Sequence, residues 1–419
     1  MSLTYTNQVK TVLIDPTFNR TKTRSEFRFE KDALFMSNMR LLNVGSTQPN
    51  EVYNRYHYLT GALSNVKSMT LYDGRTIIDQ CVDFQNWMAF KAYNNTNSSN
   101  CNVNKKILKH GLGFVYHREN DPDLAGIITD PLPTPSPPLA QQLQIKEYNE
   151  NACSVPTNDE DTTPTSWFSL SEVLPFLKTD FVNTSIFKNL ILVLDYVVSD
   201  CLVDGGAIVN TVIPLLVVDQ VMTTKPMTNL SQFSYTWNAI EKDTVYINQG
   251  QANFKYQIQG FNSKFLGRIL IQKMGMDSDL NSVYLSNKSS VACLDETYQF
   301  IINGSSLIPD SKGLHGYNQK LDMLTQTWGN CNCIVGSNTP AFYKADDHIK
   351  DADQYLGRFD YVGVLIGSRI TDSLQIEYSR KIEASFDDLY TQKMAFNVFG
   401  EVQRNLTVNS NGTYQITYT

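Results

Sequence analysis

Charge is scarce in this chain. Only 18% of its 419 residues are Asp, Glu, Lys or Arg, and the balance is acidic, with a formal net charge of −7. A protein that coats nucleic acid by charge alone needs the opposite balance, clustered on one face, so that class is excluded. Cysteine is sparse as well, with seven residues at irregular spacing. An odd, irregular set suits reduced thiols in a cytosolic or nuclear setting better than a disulfide framework. Histidine is rarer still: His57, His110, His117, His315 and His348 are scattered, and a metal centre needs ligands that converge. No uncharged apolar run reaches the ~18 residues that a membrane helix requires. The greasiest region, residues 190–221, is broken by Asp195, Asp200, Asp204 and Pro214. The opening residues have neither a basic start nor an apolar stretch, so no secretory signal is expected there. Gly-x-Ser-x-Gly, His-Glu-x-x-His and phosphate-loop signatures are all missing, which removes the commonest hydrolase and nucleotide-binding motifs.

Asn, Thr, Tyr and Phe are abundant instead, a composition that favours strands and loops over helices. The most informative stretch runs from Glu296 to Trp328. Thr297 to Ile302 reads as a strand, Asn303-Gly304 as a tight turn, and Ser306 to Ile308 as a second strand. Asn-Gly between two apolar runs is a hairpin signal, because both turn residues must accept positive φ. After Gly313 the period changes. Leu314, Tyr317, Leu321, Leu324 and Trp328 recur at three and four residues, one face of an amphipathic helix.

This unit has an echo. Ser68 to Tyr72 leads into Asp73-Gly74 and Arg75 to Ile78, followed by a helical pattern with Cys81, Phe84 and Met88 on one face. The two turns lie 230 residues apart. Phe27-Arg28-Phe29 matches Phe254-Lys255-Tyr256, and Arg40-Leu41-Leu42 matches Arg268-Ile269-Leu270, at nearly the same offset. Leu192 to Tyr196 matches Leu374 to Tyr378 at an offset of 182, so the first copy carries about 48 extra residues. Internal repeats of this kind decide an architecture before any single element does. Two units of ~200 residues are each long enough to bury a core.

The expected organisation is an N-terminal arm (1–24), a first sandwich (25–221), a linker (222–249) and a second sandwich (250–419). A long irregular insertion, about 94–165, is rich in Asn, Pro and acid; it is expected in surface loops or at subunit contacts. Strands are expected at 25–30, 38–44, 190–198, 213–221, 254–258, 265–271, 361–366, 374–378, 394–399, 406–408 and 414–418. A short helix is expected within 169–177. Many short strands with one helix per copy point to an all-β chain of two antiparallel sandwiches, and a jelly roll has eight strands in two sheets.

The chain resembles the double jelly-roll major capsid proteins of polinton-like viruses, adintoviruses and virophages. The residues that carry the resemblance are Phe27-Arg-Phe with Ser37-Asn-Met-Arg-Leu-Leu42, Tyr298-Gln-Phe-Ile-Ile-Asn-Gly304 with Leu307-Ile-Pro309, and Ser373-Leu-Gln-Ile-Glu-Tyr378. The resemblance implies two tandem eight-stranded jelly rolls, a homotrimer of pseudo-hexameric outline, and an icosahedral shell. It implies a virion location, with neighbouring capsomers and penton or minor capsid proteins as partners. It brings no catalytic residue, cofactor or metal.

Other chemistry is weak. Cys331-Asn-Cys333 has no second pair to complete four zinc ligands. Asp346, Asp347, His348, Asp351 and Asp353 lack the spacing of a calcium loop. Trp87 and Trp328 are expected in core packing, the alternative being an inter-subunit contact. In the arm, Lys10, Arg20, Lys22 and Arg24 outnumber Asp15, which suggests a weak inner-face contact with genome or membrane. The alternative function is a two-domain β-sandwich acting as a carbohydrate-binding or host-attachment module. A sandwich glycosidase would need two carboxylates facing a cleft, which the sequence does not locate.

Overall fold

The computed structural model describes residues 5–20, 23–42, 55–56, 66–95, 153–154, 167–196, 213–223, 233–248, 250–275, 295–329, 361–382 and 394–419. Most of the 94–165 insertion and the Cys331 and Asp346 segments lie outside these residues.

Alternation of apolar and polar residues gives strands throughout. In the first half they are β1 (Tyr5–Ile14), β2 (Phe18–Arg20), β3 (Arg24–Arg28), β4 (Leu34–Met36), β5 (Arg40–Leu42), β6 (Arg55–Tyr56), β7 (Val66–Asp73) and β8 (Thr76–Cys81). Helix α1 (Phe84–Asn95) follows, then β9 (Cys153–Ser154), β10 (Trp167–Ser169), β11 (Phe181–Asn183), β12 (Leu190–Tyr196) and β13 (Leu215–Thr223). In the second half β14 (Phe233–Ile247), β15 (Asn253–Ile258), β16 (Phe265–Gly275), β17 (Thr297–Ile302), β18 (Ser305–Ser306) and β19 (Leu314–His315) precede helix α2 (Tyr317–Trp328). After it come β20 (Val362–Arg369), β21 (Leu374–Ser379), β22 (Met394–Val408) and β23 (Tyr414–Tyr418).

The pairing repeats. In the first half one sheet runs β1, β13, then β4 with β5, then β11 with β10, and the other runs β3, β12, β7, β8 with β2 on its edge. In the second half the sheets run β14-β22-β16-β20 and β15-β21-β17-β18. With interrupted strands counted once, and leaving aside the edge strands β2, β19 and β23 and the separate β6-β9 pair, each half has eight strand positions in the orders 1-8-3-6 and 2-7-4-5. Each half also sends a helix out between positions five and six. Two sheets of four antiparallel strands in this order make a jelly roll, so the fold is a double jelly roll.

The two hairpins fall on equivalent connections. Asn303 and Gly304 have φ of 49° and 81°, the left-handed pair that a two-residue turn requires. In the first copy the turn residues are Gly74 and Arg75, one place later than expected, because Asp73 still pairs with Thr76. The short sequence matches mark equivalent strands rather than equivalent residues: Phe27 pairs with Leu192, but Phe254 pairs with Tyr378, not Leu374.

Several expectations need correction. Residues 1–24 are not an arm ahead of the fold. β1 is position one of the first jelly roll, paired with β13 from Tyr5–Thr223 to Ile14–Leu216. Its alternation is hard to read because only Val12 and Ile14 meet the core, while Val9 and Leu13 face out. Nor is 222–249 a plain linker: β14 fills 233–247 as position one of the second jelly roll, with Phe233, Tyr235, Trp237 and Ala239 alternating against Ser234, Thr236 and Asn238. The strands expected at 394–399 and 406–408 are one, β22. The helix expected within 169–177 is two 3-10 turns, Leu170–Glu172 and Pro175–Lys178, because Pro175 cannot continue a helix but suits the first position of a new one. Leu314 belongs to β19, ahead of the helix.

Two cores result. One lies within the second jelly roll, around Ile269, Ile271, Phe300, Ile376 and Val398. The other is shared. It joins Phe27, Leu71, Leu192 and Val218 of the first jelly roll to Trp237, Leu270, Leu324, Phe399 and Leu406 of the second. Position three of the second jelly roll is therefore buried on both faces, and Ile269, Leu270 and Ile271 are all fully buried, the pattern of a strand covered on both sides.

Candidate assembly surfaces

The joint between the jelly rolls is aromatic. The Trp87 ring on α1 lies 5.5 Å from that of Trp328 on α2 and 5.7 Å from that of Phe399. Phe90 lies 5.4 Å from Trp328 and 5.3 Å from Tyr361. Edge-to-face pairs at such separations add ~0.5–1.5 kcal/mol each beyond area burial. Trp87 and Trp328 are thus core residues, and the core they fill is the one between the two halves. Arg268 stacks on Trp328 at 4.1 Å, grips Glu401 through Nε and Nη2, and donates to Thr327 O. Polar contacts cross the joint as well: Lys242 pairs with Asp83, Asn94 donates to Gly329 O at 3.1 Å, and Tyr414 donates to Asp73 at 2.7 Å.

Each 1-8-3-6 sheet has an outer face, away from its own core. In the second jelly roll one row across that face is Lys242, Phe399, Leu270 and Gly363. It is capped by α1 and α2; a Cβ on Gly363 would stand 2.7 Å from Trp328 Cδ1 and 3.1 Å from Leu324 Cα. In the first jelly roll a corresponding row is Leu13, Val217, Arg40 and Ser169. Among the described residues the main contacts of the helices are with β7, β19 and β20, and of this row Val217 is buried while its β1 end is exposed. Leu13 is 59% exposed and Val9, four residues back on the same face, 52%. Phe181, paired with Met36 opposite the core side, is also exposed. Arg40 Nε is buried without a partner among the described residues, in contrast to the fully engaged Arg268. Beside it, Asp219 accepts from Thr11 Oγ1 at 2.6 Å and Asn38 Nδ2 at 2.5 Å. These hydrogen bonds, that of Thr11 foremost, hold its carboxyl below the ordinary range.

The basic residues of the N-terminal segment do not gather. Lys10 is exposed on β1, in one sheet. Arg24 is on β3, in the other, paired with Glu26 at 2.8 Å and Asp195 at 3.8 Å. Arg20 is in β2 and Lys22 lies outside the described residues. His315 contacts Gly313 O at 2.9 Å. The four other histidines are outside the described residues, among which no group of potential metal ligands assembles.

The second jelly roll's other sheet carries an open groove of about 450 Å³ lined by Lys255, Thr297, Gln299, Lys312 and Glu377 among others. Lys255 is paired with Glu377 at 2.7 Å and Thr297 with Ser379 at 2.6 Å. Of the aromatic rings in its lining, Tyr378 is buried in the second core and Phe254 is half-buried against it.

No protein-family model matches the chain, and no curated protein does. Solved structures do match, across nearly the whole length. The Faustovirus major capsid protein shares 8% identity at a TM-score of 0.53, covering 96% of this chain and 90% of that one. A chain of the Sputnik virophage shares 8% at 0.53, covering 100% and 90%. The mavirus major capsid protein shares 8% at 0.50, covering 98% and 90%. At such identities the likeness is one of fold: this chain shares the double jelly roll of those capsid proteins from end to end.

Proposed function

We propose that the chain is a major capsid subunit, a structural virion protein that forms homotrimers of pseudo-hexameric outline and builds an icosahedral shell. The observation that supports this best is the unequal covering of two equivalent faces. Within one chain the first jelly roll covers the outer face of the second. Among the described residues the matching face of the first leaves Val9, Leu13 and Phe181 exposed and Arg40 Nε without a partner. Repeating the same side-by-side packing between chains sets the second jelly roll of a neighbour against that face. Such a head-to-tail contact closes into a ring when the rotation allows it, and three subunits then give six similar jelly rolls around one axis. The double jelly roll shared with the mavirus and Faustovirus major capsid proteins supports the same reading.

Neighbouring capsomers and penton or minor capsid proteins are the further partners. A weak inner-face contact with genome or membrane would rest on Lys10, Arg20 and Lys22, since Arg24 is engaged by two carboxylates. It would be salt-sensitive, screened over ~8 Å at physiological ionic strength. Light scattering of the purified protein tests the trimer, with a mass three times the 47.5 kDa of the chain expected. Electron microscopy should then show pseudo-hexagonal particles. A folded monomer that persists at micromolar concentration would reject this assembly.

A further inference from the structure

Asn-Gly occurs twice in the chain, as Asn303-Gly304 and Asn411-Gly412. Both pairs sit at turns between strands, with the glycine at a φ of 81° and 78°. Their side-chain amides are held in different ways. Asn303 is clamped onto the connection between β20 and β21. Its Oδ1 accepts from Thr371 N–H at 2.9 Å and Asp372 N–H at 3.0 Å, and its Nδ2 donates to Arg369 O at 3.0 Å. Asn411, between β22 and β23, is bound within its own turn. Its Oδ1 accepts from Thr413 N–H at 3.0 Å and Thr413 Oγ1 at 2.6 Å, and Asn409 Nδ2 donates to that same Oγ1 at 3.1 Å. Among the described residues no hydrogen bond engages Asn411 Nδ2. Residues 409–413 are all exposed, and nothing stands within 4 Å of where a Cβ on Gly412 would lie.

We propose that Asn411 is a site of self-modification: the Gly412 nitrogen attacks the Asn411 side-chain carbonyl while Thr413 holds its oxygen, and the residue ends as Asp or isoaspartate. Water is the only co-reactant. A bond forms between Gly412 N and Asn411 Cγ as the Gly412 amide proton passes to solvent. Negative charge gathers on Oδ1, where two donors already point, the arrangement that stabilises a tetrahedral oxyanion. The run of hydrogen bonds from Asn409 through Thr413 strengthens the hydroxyl donor. The Cγ–Nδ2 bond then breaks, and the nitrogen takes a proton from solvent and leaves as ammonia. The cyclic imide adds water at either carbonyl, so one opening gives Asp and the other an isoaspartyl linkage. Gly412 has no Cβ, which leaves its nitrogen open to approach and its backbone free to turn. Its N–H is spent on Asn409 O at 3.0 Å, an exposed bond that water can replace. Asn303 has donors on its Oδ1 too, but its Nδ2 is bound and its amide must leave three partners on another loop before it can turn. Asp73, which precedes Gly74, is buried, with its carboxyl on Asn189 N–H and the Tyr414 hydroxyl. The product adds a charge that Asn411 lacks, and the isoaspartyl form lengthens the main chain. Both changes fall at the tip of the hairpin that carries Tyr414 to Asp73 and Phe187 across the joint.

The inference concerns this turn alone and stands whether or not the chain builds a shell. The folded full-length chain is held in mildly alkaline buffer at physiological temperature and sampled over days. Peptide mapping by mass spectrometry then separates the Asn, Asp and isoaspartyl forms. Peptides spanning Asn411 should convert at least about tenfold faster than those spanning Asn303, as expected from the hydrogen bonds that hold Asn303. Thr413→Val should slow conversion at Asn411 about fivefold, the effect of one ordinary hydrogen bond in the transition state. Thr413→Ser, which keeps the hydroxyl, should restore the rate. The comparison of the two turns needs no variant. Conversion at Asn303 as fast as at Asn411, or a Thr413→Val protein that converts as fast as the wild type, overturns the proposal.

Discussion

The two jelly rolls have one strand order and two different fates for the same face. In the second, the outer side of the 1-8-3-6 sheet is interior: Leu270 and Phe399 are buried, and Arg268 is saturated by Glu401, Trp328 and Thr327 O. In the first, Leu13 and Val9 look outward and Arg40 Nε is unsatisfied. The helices differ in the same sense. α2 lies on β20 of its own jelly roll, whereas α1 starts against β7 and reaches across to Phe399 and Tyr361 of the other. A duplicated fold thus becomes a directional one, with a filled side and an open side.

The filled side should break hardest. Trp87→Ala removes the ring that touches Phe90, Trp328 and Phe399 at once. Large-to-small changes of a buried Trp cost ~3–5 kcal/mol. Chemical denaturation should show that loss and separate the unfolding of the two halves, because the second jelly roll's own core around Ile271 and Phe300 does not include Trp87. A single unshifted transition would contradict the shared core. Next in size is Gly363→Ala. The new methyl would press on Trp328 and the backbone of Leu324, with little room to yield. Overpacking of this sort costs ~1–3 kcal/mol. Ser169→Val, at the end of the matching row in the first jelly roll, removes a half-buried hydroxyl contact with Ser171 at 2.8 Å and should cost about 1 kcal/mol or less.

The open side should respond in the opposite way. Val9→Asp with Leu13→Asp places charge on exposed positions of an edge strand. Folding stability should change by less than about 1 kcal/mol, while light scattering should show loss of the trimer. If the double variant still forms trimers, the open face is not the contact between chains.

How much of this was readable follows from which signals are local. The hairpin of Asn303-Gly304 and the helix through Leu321 and Leu324 were legible, because turn chemistry and 3.6-residue periodicity need no partner. β12 was legible as a continuous apolar run. β1 was not, because an edge strand with one wet face shows only half of its alternation, and the nearby basic residues drew the reading towards an arm. β14 carried a clear period-two pattern from Phe233 to Ala239, but it was hidden by the assumption that a repeat needs a spacer. Trp87 and Trp328 were recognised as packing residues, yet the partner of each lay in the other jelly roll, 241 positions away in sequence. The full burial of Asp79 on β8, where Phe176 N–H donates to it and Trp237 and Arg404 are near, gave no signal, because a lone Asp in a strand means nothing until the fold surrounds it.

The smallest effect sharpens the comparison at its edge. β1 is held to the sheet partly by Asp219, which accepts from Thr11 on β1 and from Asn38. The carboxyl is half-buried and held below its ordinary value, and solvent screening limits its worth to about a few tenths of a kcal/mol. A depressed carboxyl contributes above its unfolded value of 3.8 and loses that contribution as pH falls through the lower folded one. Asp219→Ala should therefore speed hydrogen exchange in residues 9–14 near neutral pH, and wild type and variant should converge in acid. The second jelly roll holds its own first strand differently, by a ladder along all of β14 and by Glu241 bound to Lys264 and Arg404. Exchange in residues 233–247 should not respond to Asp219→Ala. If it does, the two edges are coupled, and the open side of the subunit is less independent of the filled side than their packing indicates.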